Sequence, residues 1–133
     1  MTLRVPALSQ PGSRGLALDI EHLWKFTLRD APLEALLNQL RTLLSCVGAK
    51  LRHVHLAGYR PGSPEHLPMY CSREMVFRVL TVLDEACFQG MVVSEVNTDY
   101  QTATELRMDM LPFDAWREKH ERILPDSLLR SEV

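Results

Sequence analysis

Cysteine is scarce in this chain of 133 residues. The three present, Cys46, Cys71 and Cys87, form neither a Cys-x-x-Cys pair nor a zinc-ribbon spacing. Cys46 and Cys87 fall among apolar residues late in predicted helices, so buried free thiols in a reducing compartment are expected. A surplus of positive charge is also missing. Lys and Arg number 15 against 17 Asp and Glu, the formal net charge is −2, and the basic residues form no stripe. Sequence-independent nucleic-acid binding needs cations facing the phosphates, so a nucleic-acid partner is not expected. No apolar run is long enough to span a bilayer. The stretch Met1-Thr2-Leu3-Arg4-Val5-Pro6 carries no apolar signal core. A cytoplasmic protein with no membrane partner is the expectation.

What remains is ordinary for a globular protein: 46% apolar and 24% charged residues. The length suits one domain with a real core and is too short for two. We therefore read residues 1–133 as a single domain, with 1–14 as a loop-rich lead-in around a short element at Val5 to Ser9, and 125–133 as a polar, frayed tail.

Three stretches read as short apolar strands ending in a potential metal ligand: Gly15 to Asp19, Leu51 to His55 (strand to about Leu56) and Gly90 to Glu95. Near-continuous apolar runs of this length suit parallel strands buried on both faces. Between them lie helical patterns. Asp30 is a candidate cap and Pro32 a first-turn residue for a helix whose stripe is Leu33, Leu36, Leu37, Leu40, Leu43, Leu44 and Val47, ended by Gly48. Ser72 opens a second helix with stripe Met75, Val76, Val79, Leu80, Leu83 and Cys87, closed at Gly90. A third runs from about Glu105 to Leu124, with a break expected at Pro112, and Leu106, Met110, Phe113, Trp116 and His120 are candidates to face the core. Ala57 to Met69, with Gly58, Pro61, Gly62, Pro64 and Pro68, is a long loop of the kind that often carries function.

The order β-α-β-α-β-α gives adjacent parallel strands through right-handed crossovers. The α/β closure is either a small open sheet or a partial (β/α)8 TIM barrel of about three consecutive β/α units. A complete barrel takes about 250 residues, so this chain is not a whole one.

Enzymes of either kind put chemistry at the C-terminal ends of their strands. Asp19, His55 and Glu95 stand there, and neighbouring strands lie about 4.8 Å apart. Their carboxylates and imidazole suit a divalent ion such as Mn²⁺, Mg²⁺, Co²⁺ or Zn²⁺. Each has a plainer role: Asp19 as a helix cap, Glu95 as a partner for an Arg. His22, three residues past Asp19, is a second ligand, a substrate contact or an aromatic packed beside Trp24. His53 shares a strand face with His55, one layer deeper, as a substrate contact or a hydrogen-bonded core histidine. His66, between Pro64 and Pro68, reaches a ligand or faces solvent. Arg60 is the candidate to hold a substrate hydroxyl or phosphate.

The phrases Leu18-Asp19-Ile20-Glu21-His22, His53-Val54-His55-Leu56, Glu65-His66-Leu67-Pro68 and Ser94-Glu95-Val96-Asn97, in this order and spacing, resemble the xylose-isomerase-like TIM barrels. That family includes sugar phosphate isomerases and epimerases and, more distantly, apurinic endonucleases. The resemblance runs from Gly15 to about Glu118. It implies a divalent metal at the barrel mouth, with Asp19, His55 and Glu95 at the positions of the Asp, His and Glu of the family's last three strands. In the epimerases that Glu is both ligand and acid/base on the substrate carbon. His22 matches the His of the family's D-x-x-H, and His66 the loop His of D-x-H-L-P.

Two departures qualify the match. Pro64 stands where apurinic endonucleases carry a zinc-binding Asp, which with the acidic balance argues against a DNA-repair hydrolase. The family's other metal Glu belongs to an earlier strand that this chain lacks, so the chain resembles a C-terminal half. The implied function is isomerisation or epimerisation of a sugar or sugar phosphate by proton transfer beside a carbonyl, with little activity from this polypeptide alone. The rival is a non-catalytic barrel remnant serving as an interaction module, because an open half-barrel favours pairing with a second copy or a separate N-terminal half.

Overall fold

Leu16 to Asp19 (β2), Leu51–Leu56 (β3) and Met91–Ser94 (β4) form three adjacent parallel strands in the computed structural model, which describes residues 7–9 and 15–121. Leu8–Ser9 (β1) adds an antiparallel pair along the outer edge of β2, giving the order β1-β2-β3-β4. The lead-in therefore contributes a strand of its own, and the Ala7 carbonyl accepts the Asp19 N–H at 2.7 Å. The expected tail after Pro125 and the end of the last helix at Leu124 lie outside the described residues.

The connections are helical. Ile20–His22 (α1) runs into a π-helical turn over Leu23–Thr27, Leu33–Val47 forms α2, Arg73–Glu85 forms α3 and Ala103–Glu121 forms α4. The α2 stripe is as expected: Leu36, Leu37 and Leu40 are fully buried, each worth roughly 1.5–3 kcal/mol relative to exposure. They meet Leu18, Val54 and Leu56 of the sheet and Met75, Val76, Val79, Leu80 and Leu83 of α3 in one core.

That core lies on one face of the sheet. Strand alternation puts Leu18, Val54, Leu56 and Val92 on the helix side and Ala17, Asp19, His53, His55, Met91 and Val93 on the other. Strand β2 is buried on both faces, with Ala17 3% and Asp19 7% exposed, whereas β3 and β4 are not. His53 and His55 are half-buried and Met91 is 63% exposed, because the helical core packs against the opposite face.

Several local expectations are corrected. Neither predicted cap works as one, since fully buried Tyr59 engages both. Its hydroxyl donates to Asp30 Oδ1 at 2.6 Å, and its N–H donates to Ser72 Oγ at 2.9 Å. Pro32 and Ser72 precede their helices with no side-chain cap bond. Helix α3 ends at Glu85 rather than Gly90, and Cys87 takes a left-handed φ of 59° in the turn that follows. Cys46 and Cys87 are exposed, not buried. Helix α4 continues through Pro112. It turns Asp109 and Pro112 inward with half-buried Phe113, Trp116 and His120, and leaves Leu106 and Met110 exposed. Apolar residues surround this helix, so periodicity alone does not select its inner face.

Candidate metal centre

Asp19 and His55 are register partners at the C-terminal ends of β2 and β3, and Glu95 follows directly on the end of β4. One potential ligand atom from each lies within 4.8 Å of the others. His55 Nδ1 is 3.2 Å from Glu95 Oε2. The three ends converge because parallel pairing places His55 opposite Asp19 and, on the other side, opposite Val93, whose side of the strand Glu95 shares.

Asp19 is 7% exposed, while Glu95 is exposed at the open side of the cluster. Asp19 also performs its plainer role: Oδ1 accepts the His22 N–H at 3.1 Å and caps α1, and Oδ2 lies 3.6 Å from His22 Nδ1. Capping leaves lone pairs of the same carboxylate for a cation.

The donor set fits a divalent ion. Two carboxylates and an imidazole are the ligands of hard to borderline metals, and a buried carboxylate beside a second one calls for positive charge between them. Ligand bonds near 2.1 Å require only that the three side chains close in modestly from their present separation.

A second set adjoins the first. Glu21, His22 and His66 also bring one donor each within 4.8 Å of one another. Glu21 is 1% exposed. Its Oε2 accepts the His66 N–H at 2.7 Å, and its Oε1 lies 3.0 Å from His66 Nδ1. That last contact is close but poorly directed, leaving Nδ1 buried without a formed hydrogen bond. Burial pushes the Glu21 carboxyl up, and the His66 backbone and ring pull against that shift. The His22 ring sits edge-on to Phe26 at 5.3 Å and to His66 at 6.0 Å. His22 thus joins the two sets, touching Asp19 on one side and His66 on the other.

The loop is held over this floor by named contacts. Gly58 and Leu67 pair across its base. A Cβ at Gly58 would collide with the Pro68 carbonyl oxygen, so glycine permits that closure. Lys25 Nζ donates to Glu65 Oε1 at 2.9 Å and holds the Glu65 carboxyl below its usual range. The Asn97 N–H donates to the His66 carbonyl at 3.0 Å, tying the loop to the segment after Glu95. His66 itself adopts a left-handed φ of 58°, an uncommon conformation for a non-glycine residue.

Not every candidate joins the cluster. His53 lies one pleat below His55, between Ala17 and Met91 in register, and is half-buried rather than in the core. Arg60 is exposed and lines a separate open cavity of about 260 Å³ with Trp24, Leu33, Cys71 and Arg73. That cavity shares no lining residue with the cluster. Two residues went unassigned in the sequence reading: Glu21, and Asp109, which is 1% exposed on α4 and accepts from Met69 N–H and Ser94 Oγ–H. A carboxylate two residues past a strand end is the available signal for Glu21, whereas no spacing on α4 marks Asp109.

Comparison of the chain with family models, with curated proteins and with solved structures finds no match. The functional reading rests on the residues themselves.

Proposed function

We propose that this chain carries one side of a metal-dependent sugar or sugar phosphate isomerase or epimerase site, as part of a (β/α)8 barrel of the xylose-isomerase-like type. The observation that carries the proposal is the convergence of Asp19, His55 and Glu95 at three successive parallel strand ends. A divalent ion held there would act as a Lewis acid toward the carbonyl and neighbouring hydroxyl oxygens of a bound sugar. Glu95, the most accessible of the three, is the carboxylate placed to take a proton from the carbon beside the carbonyl and return it. His22 is placed to hold a substrate hydroxyl and pass its proton, with His66 and Glu21 fixing the ring's surroundings. His53 would line the same face one layer deeper. Arg60 would serve only a substrate long enough to reach its separate cavity.

Among the described residues, Asp19 is the one other carboxylate that joins Glu95 in this cluster, and Glu95 itself is exposed. The chain alone is therefore expected to bind metal and sugar without turning the sugar over. Paramagnetic broadening of the proton resonances of a hydroxy-carbonyl sugar by Mn²⁺ tests this. Broadening beyond that caused by free Mn²⁺, lost in Asp19→Ala, is the expected result. No such broadening would remove the sugar reading, and turnover above that of free Mn²⁺ would remove the claim of incompleteness.

A second reading has its own observation. Among the described residues, strand β4 has an unpaired edge with no charge and no proline, and Met91 on it is 63% exposed; Leu106, Met108, Met110 and Leu111 of α4 are exposed as well. Protected edges normally carry such residues. A partner strand, from a second copy or a separate N-terminal half, would pair there, since β1 already covers the β2 edge. In that reading the chain is an interaction module and the acidic cluster has no ligand.

A further inference from the structure

Asp109 is an expensive residue for its position. It lies mid-way along α4 with 1% exposure, and a buried carboxylate costs several kcal/mol unless its lone pairs are satisfied. Its two named partners are both neutral: the Met69 N–H donates to Oδ1 at 2.7 Å, and the Ser94 hydroxyl donates to Oδ2. A leucine would fill the same space against the core without that cost, so the placement of these two partners is informative.

Ser94 is the last residue of β4 and Glu95 is the next. Successive side chains on a strand point to opposite faces, and a slip of one residue sends each to the wrong face. Ser94, in register with fully buried Leu56, belongs to the helix side, where Asp109 receives its hydroxyl. Fixing Ser94 toward α4 fixes Glu95 toward Asp19 and His55. The strand needs this help. It is a short edge strand with no fully buried residue, and its hydrophobic pattern (Met91, Val92, Val93) does not distinguish the two faces. Met69 closes the other side of the tether. It follows directly on the loop that carries His66 and opens the 3-10 turn Met69–Ser72. One carboxylate therefore sets both the strand end that presents Glu95 and the foot of the loop that presents His66.

We propose that Asp109 is a positioning residue for the metal centre, acting on Glu95 through Ser94 and on the His66 loop through Met69. The proposal rests on the metal reading above. Its test separates the two by using one readout with metal and one without. The full chain is compared with Asp109→Ala, Asp109→Asn and Ser94→Ala in Mn²⁺ titrations and in metal-free amide NMR spectra. Asp109→Ala and Ser94→Ala should weaken Mn²⁺ by roughly 10–100-fold, as loss of a residue supporting a metal ligand does. The two effects should fail to add in the double variant. Asp109→Asn keeps an acceptor for Met69 and a donor that the Ser94 hydroxyl can accept, and it should restore most of the affinity. This rescue separates positioning through the hydrogen bonds from an effect of the Asp109 charge, since Asn and Ala both remove that charge. Without metal, Asp109→Ala should shift the Met69, Ser94 and Glu95 amides and leave those of Asp19 and His55 in place.

Unchanged Ser94 and Glu95 signals would overturn the positioning role whatever the metal does, and so would wild-type Mn²⁺ affinity in a folded Ser94→Ala variant. If Asp109→Ala proves unfolded, Ser94→Ala, which deletes one half-buried hydroxyl, decides alone. Absence of Mn²⁺ binding to the wild-type chain, with the amide shifts present, would overturn the metal reading and keep Asp109 as the group that orients Glu95.

Discussion

The backbone N–H of His66 donates to the carboxylate of Glu21 at 2.7 Å, across 45 residues of chain. The bond holds the closing end of a proline-rich loop, one residue before Leu67 at its base, against the helical turn that follows β2, and so brings His66 to within a ring contact of His22. Two segments that share no secondary structure become one polar surface through it.

Replacing Glu21 with Leu should therefore leave the His66 N–H without its partner. The expected cost is about 1–3 kcal/mol, concentrated in the loop. Amide hydrogen exchange checks it: His66 and Leu67 should lose protection while Leu36 and Val79 keep theirs. Equal loss throughout would mean that Glu21 supports the core rather than the loop.

Gly58→Ala should open the same loop from its base. The added Cβ meets the Pro68 carbonyl, a backbone atom that cannot step aside cheaply. A loss of about 1–3 kcal/mol is expected, readable by denaturant titration, with weaker pairing of Gly58 and Leu67. Wild-type stability would show that Pro68 has room to move.

Tyr59 predicts an alkaline limb. Burial, and then its hydrogen bond to Asp30, raise the phenol well above its ordinary value of 10.0. A folded-state pKa above the unfolded one means that the contribution is complete below about pH 10 and is lost as pH rises through the folded value. Tyr59→Phe should cost about 1–3 kcal/mol at neutral pH through the lost bond to a carboxylate. The difference from wild type should close in strongly alkaline solution. Denaturant unfolding across the alkaline range measures this, and a difference that stays constant with pH would contradict it.

Glu65 predicts the opposite limb. Its hydrogen bond from Lys25 lowers its pKa below the ordinary 4.5, so the pair contributes above that value and fades as pH falls through the folded one. Both side chains are partly exposed, and the effect should stay under about 1 kcal/mol. Glu65→Gln compared with wild type from neutral pH into acid gives the readout; an unchanged gap in acid would count against it.

How much of this was legible in the sequence depends on the kind of signal. Strand β3 and helix α2 follow from apolar runs and three-four spacing, and the convergence of Asp19, His55 and Glu95 follows once the strands are parallel and adjacent. Tyr59 shows what was not legible. It lies in a loop whose Gly and Pro residues give it no periodicity, yet it takes the Asp30 and Ser72 side chains that local rules assign to helix caps. Local capping rules compete with tertiary partners, and a fully buried tyrosine with both donors to satisfy wins. Arg60 stands apart from the cluster because the start of its loop borders Trp24, Leu33 and Arg73 before the chain returns to the site at His66. On α4, Leu106, Met108, Met110 and Leu111 surround the helix with apolar residues, so only the packed structure reveals that Asp109 faces inward.

The central claim is that Asp19, His55 and Glu95 hold one divalent ion. Calorimetric titration of the purified chain with Mn²⁺, beside a folded Asp19→Ala, Glu95→Ala double variant, tests it most directly. A single saturable site in the wild type, weakened in the double variant by more than the roughly 10–100-fold that losing a supporting residue costs, is the predicted result. A folded wild-type chain that binds no Mn²⁺, or a double variant that binds it equally well, would contradict the account.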